Sequence, residues 1–345
     1  MKKWLLRLGI LLAVLVLAYY LGPKPFPDVD TSLTLPAVSE TGAQLEKRVR
    51  DAEAAIPNIK PDNEARIIWF DSIARTRTPY AVVYIPGFTA TYAEGEPIHR
   101  EFAKRYGCNL YIPRLKRFGL DDVDAFAELT PEDMLQSAAE ALAVGKQLGE
   151  KVILMSTSTG GTLAIALAAQ HPEIDAVIAY SPNIAIFDER TKIVTGPWGK
   201  KIGRMVMGND YNFIEGKSDE YKKYWYTQYR YEGIIALQAL LDHTMTPETF
   251  AKVKQPFFLG YYYKNEEEQD KIVSVPAMLQ MFRALGTPPE LKREVAFPEV
   301  GHHVVGSYLT SKDLESVRQE TYRFAEEILE LKKVEISFPE PQAVE

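Results

Sequence analysis

The stretch Lys151-Val-Ile-Leu-Met-Ser-Thr-Ser-Thr-Gly-Gly-Thr162 decides how this chain is read. Val152 to Met155 is an uninterrupted apolar run, the pattern of a strand covered on both faces. Small residues follow, as Ser156-x-Ser158-x-Gly160-Gly161, and an Ala-rich helical segment then runs to His171. A serine on a sharp strand-to-helix turn is held in a strained backbone conformation with its hydroxyl exposed. Such a turn needs small residues two positions before and two after the serine, because strand and helix approach closely there. Gly160 meets that need, and Ser156 adds a single oxygen. The start of the following helix contributes free N–H groups and a dipole that favour negative charge beside Ser158. Ser158 is therefore the candidate nucleophile, with an ordinary Ser/Thr-rich turn as the competing reading.

Outward from this turn the chain alternates strand and helix. Residues 66–70, 81–85, 109–113, 176–180, 256–262 and 291–297 read as strands. Residues 98–106, 131–148, 161–171, 275–285 and 312–331 read as helices. That alternation specifies an α/β fold, a mostly parallel sheet with helices on both faces. It breaks after Ser181. Residues 184–232 are rich in charge, Gly and Tyr (Tyr221, Tyr224, Tyr226, Tyr229, Tyr231), and read as an inserted, mostly helical cap. The tyrosines suit either the lining of a pocket or a packed stripe. A helix over 232–241 completes the cap, which spans about 183–240. Residues 39–55 have helical periodicity with Ser39 as a possible cap. Residues 23–37 hold four prolines and read as an extended tether. The expected organisation is an N-terminal apolar segment (1–22), a tether with one helix (23–64), the α/β domain (65–332) and a Pro- and Glu-rich tail (333–345).

The strand 81–85 ends in Pro86-Gly87-Phe88-Thr89. A glycine just past a central strand lets the backbone turn and aim N–H groups into a cleft, although Pro-Gly is common in loops generally. The expected oxyanion donors are the N–H groups of Phe88 and Thr159.

With this loop the chain resembles an α/β-hydrolase, and within that fold the carboxylesterase and monoacylglycerol lipase branch. The resemblance rests on Gly87-Phe88-Thr89, the helix 98–106, Ile112-Pro113-Arg114-Leu115 and the serine turn, and it covers roughly residues 65–331. Two positions depart from the pattern: Pro86 stands where histidine is usual, and Ser156 where glycine is usual. Neither removes an atom the reaction requires. The resemblance implies the order Ser, then Asp or Glu, then His. Asp270 matches the acid, followed closely by Ile272 and Val273, while Glu266, Glu267 and Glu268 read as solvated loop charges. In Gly301-His302-His303-Val304-Val305 the histidine before two apolar residues is His303, which is taken as the base, with His302 as the second choice. His99, His171 and His243 read as packing or surface residues. The implied function is a serine hydrolase that cleaves carboxylic esters of small molecules or lipids through an acyl-enzyme, with no cofactor and no metal. The same triad also serves amidases, peptidases and acyltransferases, and a non-catalytic binding module is the alternative of another class.

The 345 residues carry 40 basic and 47 acidic side chains, a net charge of −7, with 46% hydrophobic and 25% charged residues. That composition belongs to a folded chain. No basic block exists to neutralise phosphates along a nucleic acid, so a nucleic-acid partner is excluded. The single cysteine, Cys108, rules out an internal disulfide and a Cys-based zinc site. Leu8 to Leu21 contains no charge. With Trp4 to Arg7 the helix spans close to a hydrocarbon core of roughly 30 Å. Lys2, Lys3 and Arg7 would stay cytoplasmic, and Trp4, Tyr19 and Tyr20 suit the two interfaces. No small-x-small cleavage site precedes Pro23, which favours an uncleaved membrane anchor over a signal peptide. The catalytic domain is then expected on the periplasmic or extracellular side, or secreted if the segment is cleaved. A cytosolic protein with a buried N-terminal helix is the remaining alternative.

Overall fold

The computed structural model describes residues 2–334, so most of the tail lies outside the described residues. The strands are β1 Arg66–Ile68, β2 Thr78–Ile85, β3 Asn109–Ile112, β4 Gly149–Thr157, β5 Ala176–Tyr180, β6 Tyr211–Phe213, β7 Gln228–Arg230, β8 Phe257–Tyr261 and β9 Lys292–Ala296. The helices are α1 Lys2–Tyr20, α2 Gly42–Ala54, α3 Ile98–Tyr106, α4 Pro131–Leu148, α5 Thr159–Gln170, α6 Gly199–Met207, α7 Asp219–Tyr224, α8 Glu232–Thr244, α9 Pro247–Lys252, α10 Val275–Ala284 and α11 Leu314–Glu327.

Seven strands form one sheet in the order β1-β3-β2-β4-β5-β8-β9. Every pairing is parallel except β1 with β3. The side-chain period of two divides each strand between two cores. Val83, Ile85, Leu154, Val177 and Leu259 face the side covered by α4, α5 and α10. Val82, Tyr84, Ile153, Met155, Ile178 and Phe258 face the side covered by α3 and α11. Both faces are dry, which is why the strands are written as continuous apolar runs. Helix α4 starts sharply because Thr130 accepts from the Asp133 N–H while Asp133 reaches back to the Thr130 N–H, with Pro131 at the first helical position.

Several boundaries differ from the sequence reading. Helix α2 begins at Gly42 with extended Thr41 before it, so Ser39 is not its cap. Ser39 lies in extended chain whose N–H is bound by the neighbouring Glu40 carboxylate. The cap is less helical than its composition suggests. Between a 3-10 turn at Glu189–Thr195 and α7 lie α6 and the strand β6, which pairs antiparallel with β7. Three-residue strands are too short to show alternation, so no periodic signal marked them. Helix α9, six residues long, is likewise too short to leave a periodic pattern. The prolines of residues 23–37 do keep the segment extended, but it is bound to the body. Leu33 is buried, its N–H donates to Gln170, and its carbonyl bonds His171.

Candidate active site

Four loops at the carboxyl ends of β2, β4, β8 and β9 converge on one cavity of about 330 Å³. This is the end of a parallel sheet at which ligands generally bind. Ser158 sits between β4 and α5 with φ 55° and ψ −120°, a region in which a non-glycine residue is strained. The conformation is locked from three sides. Its N–H donates to Tyr180 O, and its carbonyl accepts from Gly161 and Asn183. Gly160 is required here, since a Cβ on it would lie 1.9 Å from the Ile85 carbonyl oxygen. The tolerance of Ser156 is explained by its fully buried hydroxyl, which donates to Ile178 O.

Asp270 and His303 come together from separate loops. His303 Nδ1 lies 2.5 Å from Asp270 Oδ2. The other carboxylate oxygen accepts the N–H groups of Ile272 and Val273 at 2.9 and 3.1 Å. Burial by itself would raise the Asp270 pKa, but the facing His303 and these two donors outweigh it and hold the carboxyl below its usual range. Burial likewise opposes charge on His303, yet Asp270 and the more distant Glu94 hold the imidazole above its ordinary value. His303 Nε2 is buried without a hydrogen-bond partner among the described residues, and it lines the cavity together with Ser158. His302 occupies the cavity wall but has no carboxylate partner among the described residues; its Nδ1 accepts the Val304 N–H, and burial followed by the neighbouring His303 lowers its pKa to about 4.

Neither the Phe88 N–H nor the Thr159 N–H has an acceptor among the described residues. Thr159 opens α5, where N–H groups lack intrahelical partners. The Phe88 ring is fixed by Phe118, Phe126 and Tyr229, with centroids 5.9, 5.0 and 5.6 Å away. The remaining predicted positions lie elsewhere. Glu266, Glu267 and Glu268 are exposed. His99 is wholly buried, with Nε2 on Tyr92 O and its ring against Tyr84. His171 and His243 bond backbone carbonyls. Of the five cap tyrosines, all buried, Tyr221 and Tyr229 line the cavity. Tyr224 and Tyr226 instead tie the cap to the body through Asp62, Arg117 and Leu120. The cavity is otherwise mainly apolar, with Ile186, Ile214, Ile234, Leu237 and Ile272 in its wall.

Glu94 had no signal in the sequence. It is 2% exposed and lines the same cavity. Its carboxylate accepts the Gly87 N–H at 2.5 Å and the Tyr84 hydroxyl at 3.2 Å, and so braces the loop that carries Phe88. Burial pushes its pKa up to about 7, against the Gly87 donor and the nearby His303. Between the ordinary value of 4.5 and about 7, the folded protein holds a proton that the unfolded chain has released. Stability therefore falls as pH rises through that window, by up to about 3 kcal/mol on linkage arithmetic. Glu94→Gln, which stays neutral, is expected to flatten the difference in thermal stability between pH 5 and pH 8. Equal pH dependence in wild type and variant would show that the Glu94 carboxyl is not shifted.

No family model matches the chain. A thermostable monoacylglycerol lipase from Bacillus sp. (strain H-257) is 31% identical over 108 residues, which is 31% of this chain and 42% of that lipase. The match thus spans about two-fifths of the curated relative. Among solved structures, a metagenome-derived lipolytic enzyme of the LipS and LipT pair superposes with a TM-score of 0.61 at 16% identity, covering 77% of this chain and 98% of that one. A monoacylglycerol lipase from Paleococcus ferrophilus superposes with a TM-score of 0.54 at 13% identity, over 75% and 96% of the two chains. The fold is that of the α/β-hydrolases. Within it the chain resembles the carboxylesterase and monoacylglycerol lipase branch.

Proposed function

We propose that the chain is a serine hydrolase that cleaves carboxylic esters through an acyl-enzyme. The observation that carries this reading is Ser158, strained at a strand-to-helix turn, in one cavity with the His303–Asp270 pair. In the first half-reaction His303 Nε2 takes the Ser158 proton as Oγ attacks the ester carbonyl, then returns it to the leaving alcohol. In the second half-reaction water repeats the sequence on the acyl-enzyme. Asp270 keeps the His303 proton on Nδ1 and stabilises the imidazolium. The Phe88 and Thr159 N–H groups receive the oxyanion of each tetrahedral intermediate. The lipolytic relatives support an ester rather than an amide as substrate.

Helix α1 supports a membrane location. Lys3–Tyr20 is long and apolar enough to cross a bilayer by length and composition, and none of it is buried against the body. The reading is an anchor with the catalytic domain on the periplasmic or extracellular side. A cavity of about 330 Å³ stands near the small end of ligand pockets, which run from roughly 300 to 1,000 Å³. Short and medium acyl chains are therefore favoured. The test is labelling of the folded protein by a fluorophosphonate, together with hydrolysis of p-nitrophenyl esters of increasing length. Labelling is expected, with kcat/KM rising with chain length among the short esters and no further gain from octanoate to palmitate, since a methylene left in water forgoes the roughly 0.8 kcal/mol that a buried one contributes. Folded protein that neither labels nor hydrolyses any ester would refute the proposal.

A further inference from the structure

A second cavity, of about 360 Å³, lies between the tether and the cap, outside the catalytic cleft. Its walls are Pro23, Lys24 and Pro25 on one side and Trp198, Lys200, Lys201 and Arg204 on the other. Four cations on one small concavity stand out in a chain of net charge −7. Their surroundings differ. Lys200 lies 3.3 Å from Glu232, and Arg204 pairs with Asp210 at 2.7 Å and Glu232 at 2.9 Å. No carboxylate lies within ion-pair distance of Lys24 or Lys201 among the described residues. The Lys201 ammonium stands 5.0 Å from the centre of the Trp198 ring.

Chain connectivity sets the depth of this cavity. Helix α1 ends at Tyr20, and Pro23 is three residues on, so the cavity wall lies within about 12 Å of the helix end. The two parts are also joined directly. The Trp198 indole N–H donates to Ala18 O at 3.1 Å, and its backbone N–H donates to Pro23 O at 2.9 Å. Gly22 lies flat against the indole, where a Cβ would come within 2.1 Å of Nε1. Beyond Trp198, α6 rests Gly203 on the Tyr231 ring and turns Met205 and Val206 outward, 76% and 78% exposed. A tryptophan clamp at the end of an apolar helix, basic residues beside it and bare Met and Val next to them is the arrangement of a bilayer interface.

We propose that this cavity binds the phosphate headgroup of an anionic membrane lipid, with Lys24 and Lys201 as its unpaired cations and Trp198 as its floor. The site rests on the reading of α1 as a membrane anchor. It would hold the cap against the bilayer. Helix α8 connects the two sites: Glu232 at its start holds Lys200 and Arg204, and Ile234 and Leu237 one turn on line the catalytic cavity.

The experiment uses the full chain in neutral detergent micelles, with bound lipid counted by native mass spectrometry. Dioleoyl phosphatidylglycerol, dioleoyl phosphatidylcholine and inorganic phosphate are titrated separately. One phosphatidylglycerol is expected to be retained per chain, in preference to phosphatidylcholine. Each lysine facing an anionic headgroup is worth roughly fivefold in affinity. Lys24→Ala with Lys201→Ala should therefore weaken retention about 25-fold, and Lys201→Arg should keep it. Circular dichroism and ester hydrolysis in the double variant should match wild type, which separates loss of the site from loss of the fold. Equal retention of both lipids, unchanged retention in the double variant, or competition by millimolar phosphate would overturn the proposal. Lipid counting does not depend on turnover, so a failure of the hydrolase reading is seen separately. Resistance of the membrane-bound chain to carbonate extraction tests the anchor by itself.

Discussion

Ser158→Ala is expected to lower ester hydrolysis by about 10⁵- to 10⁶-fold and to abolish fluorophosphonate labelling, the scale seen when a triad nucleophile is removed. The neighbouring hydroxyls offer no substitute. Ser156 is fully buried and bound to Ile178 O, and Thr157 is fully buried with its hydroxyl against Tyr84. Attack by water on the bound ester would remain, aided by the Phe88 and Thr159 N–H groups. The variant should fold normally, because the hydroxyl takes no part in the backbone bonds that fix the turn. Alanine retains the positive-φ strain without adding to it. Labelling and steady-state rates measured on the same preparation decide the matter. More than about a hundredth of the wild-type rate in the variant would place the nucleophile elsewhere.

Asp270→Asn is expected to cost about 10⁴-fold in kcat, and the reason is a proton. One oxygen of Asp270 is held by the Ile272 and Val273 N–H groups, and the other faces His303 Nδ1. In the asparagine variant the carbonyl oxygen takes the backbone donors. The amide NH2 is then presented to Nδ1, which must accept, and the imidazole proton moves to Nε2. That nitrogen can no longer take the Ser158 proton. The pH profile carries the same information. The base must be neutral, so kcat/KM falls as pH drops through the His303 pKa, which Asp270 holds above the ordinary histidine value. Removing the carboxylate should move this acidic limb to lower pH while the plateau collapses. His303→Ala should cost more, about as much as Ser158→Ala, and His302→Ala should keep activity within about tenfold, because His302 touches no carboxylate among the described residues. A Asp270→Asn variant with more than a tenth of wild-type kcat would remove Asp270 from its role.

The parts of the molecule legible in the sequence share one physical origin. Strands covered on both faces must be continuously apolar, so β2, β4, β5 and β8 were visible to within a few residues. Helix α4 was readable at its start because the Thr130–Pro131–Asp133 cap leaves a local mark. The strained serine was legible for the same reason: the close approach of β4 and α5 demands Gly160. The cap was legible only as an interruption. Its short hairpin and turns owe their form to contacts with the body, such as Tyr224 to Asp62 and Tyr226 to Arg117.

Residue pairs far apart in sequence were a different matter. Spacing and resemblance narrowed the base to His302 or His303, two residues with the same chemistry. Only the loop after β9 determines which ring faces Asp270, across 33 residues of chain. Glu94 looked like any loop carboxylate, because burial is a property of the whole fold and leaves no mark on a single acidic letter. The bond between Trp198 and Ala18, 180 positions apart, was equally unwritten in any local pattern. The sequence by itself determined what depends on neighbours along the chain: the sheet, the strained serine turn, the apolar N-terminal helix. The tertiary structure decided what depends on neighbours in space: which histidine meets Asp270, which carboxylate is buried behind the loop that carries Phe88, and where the cap meets the end of the helix.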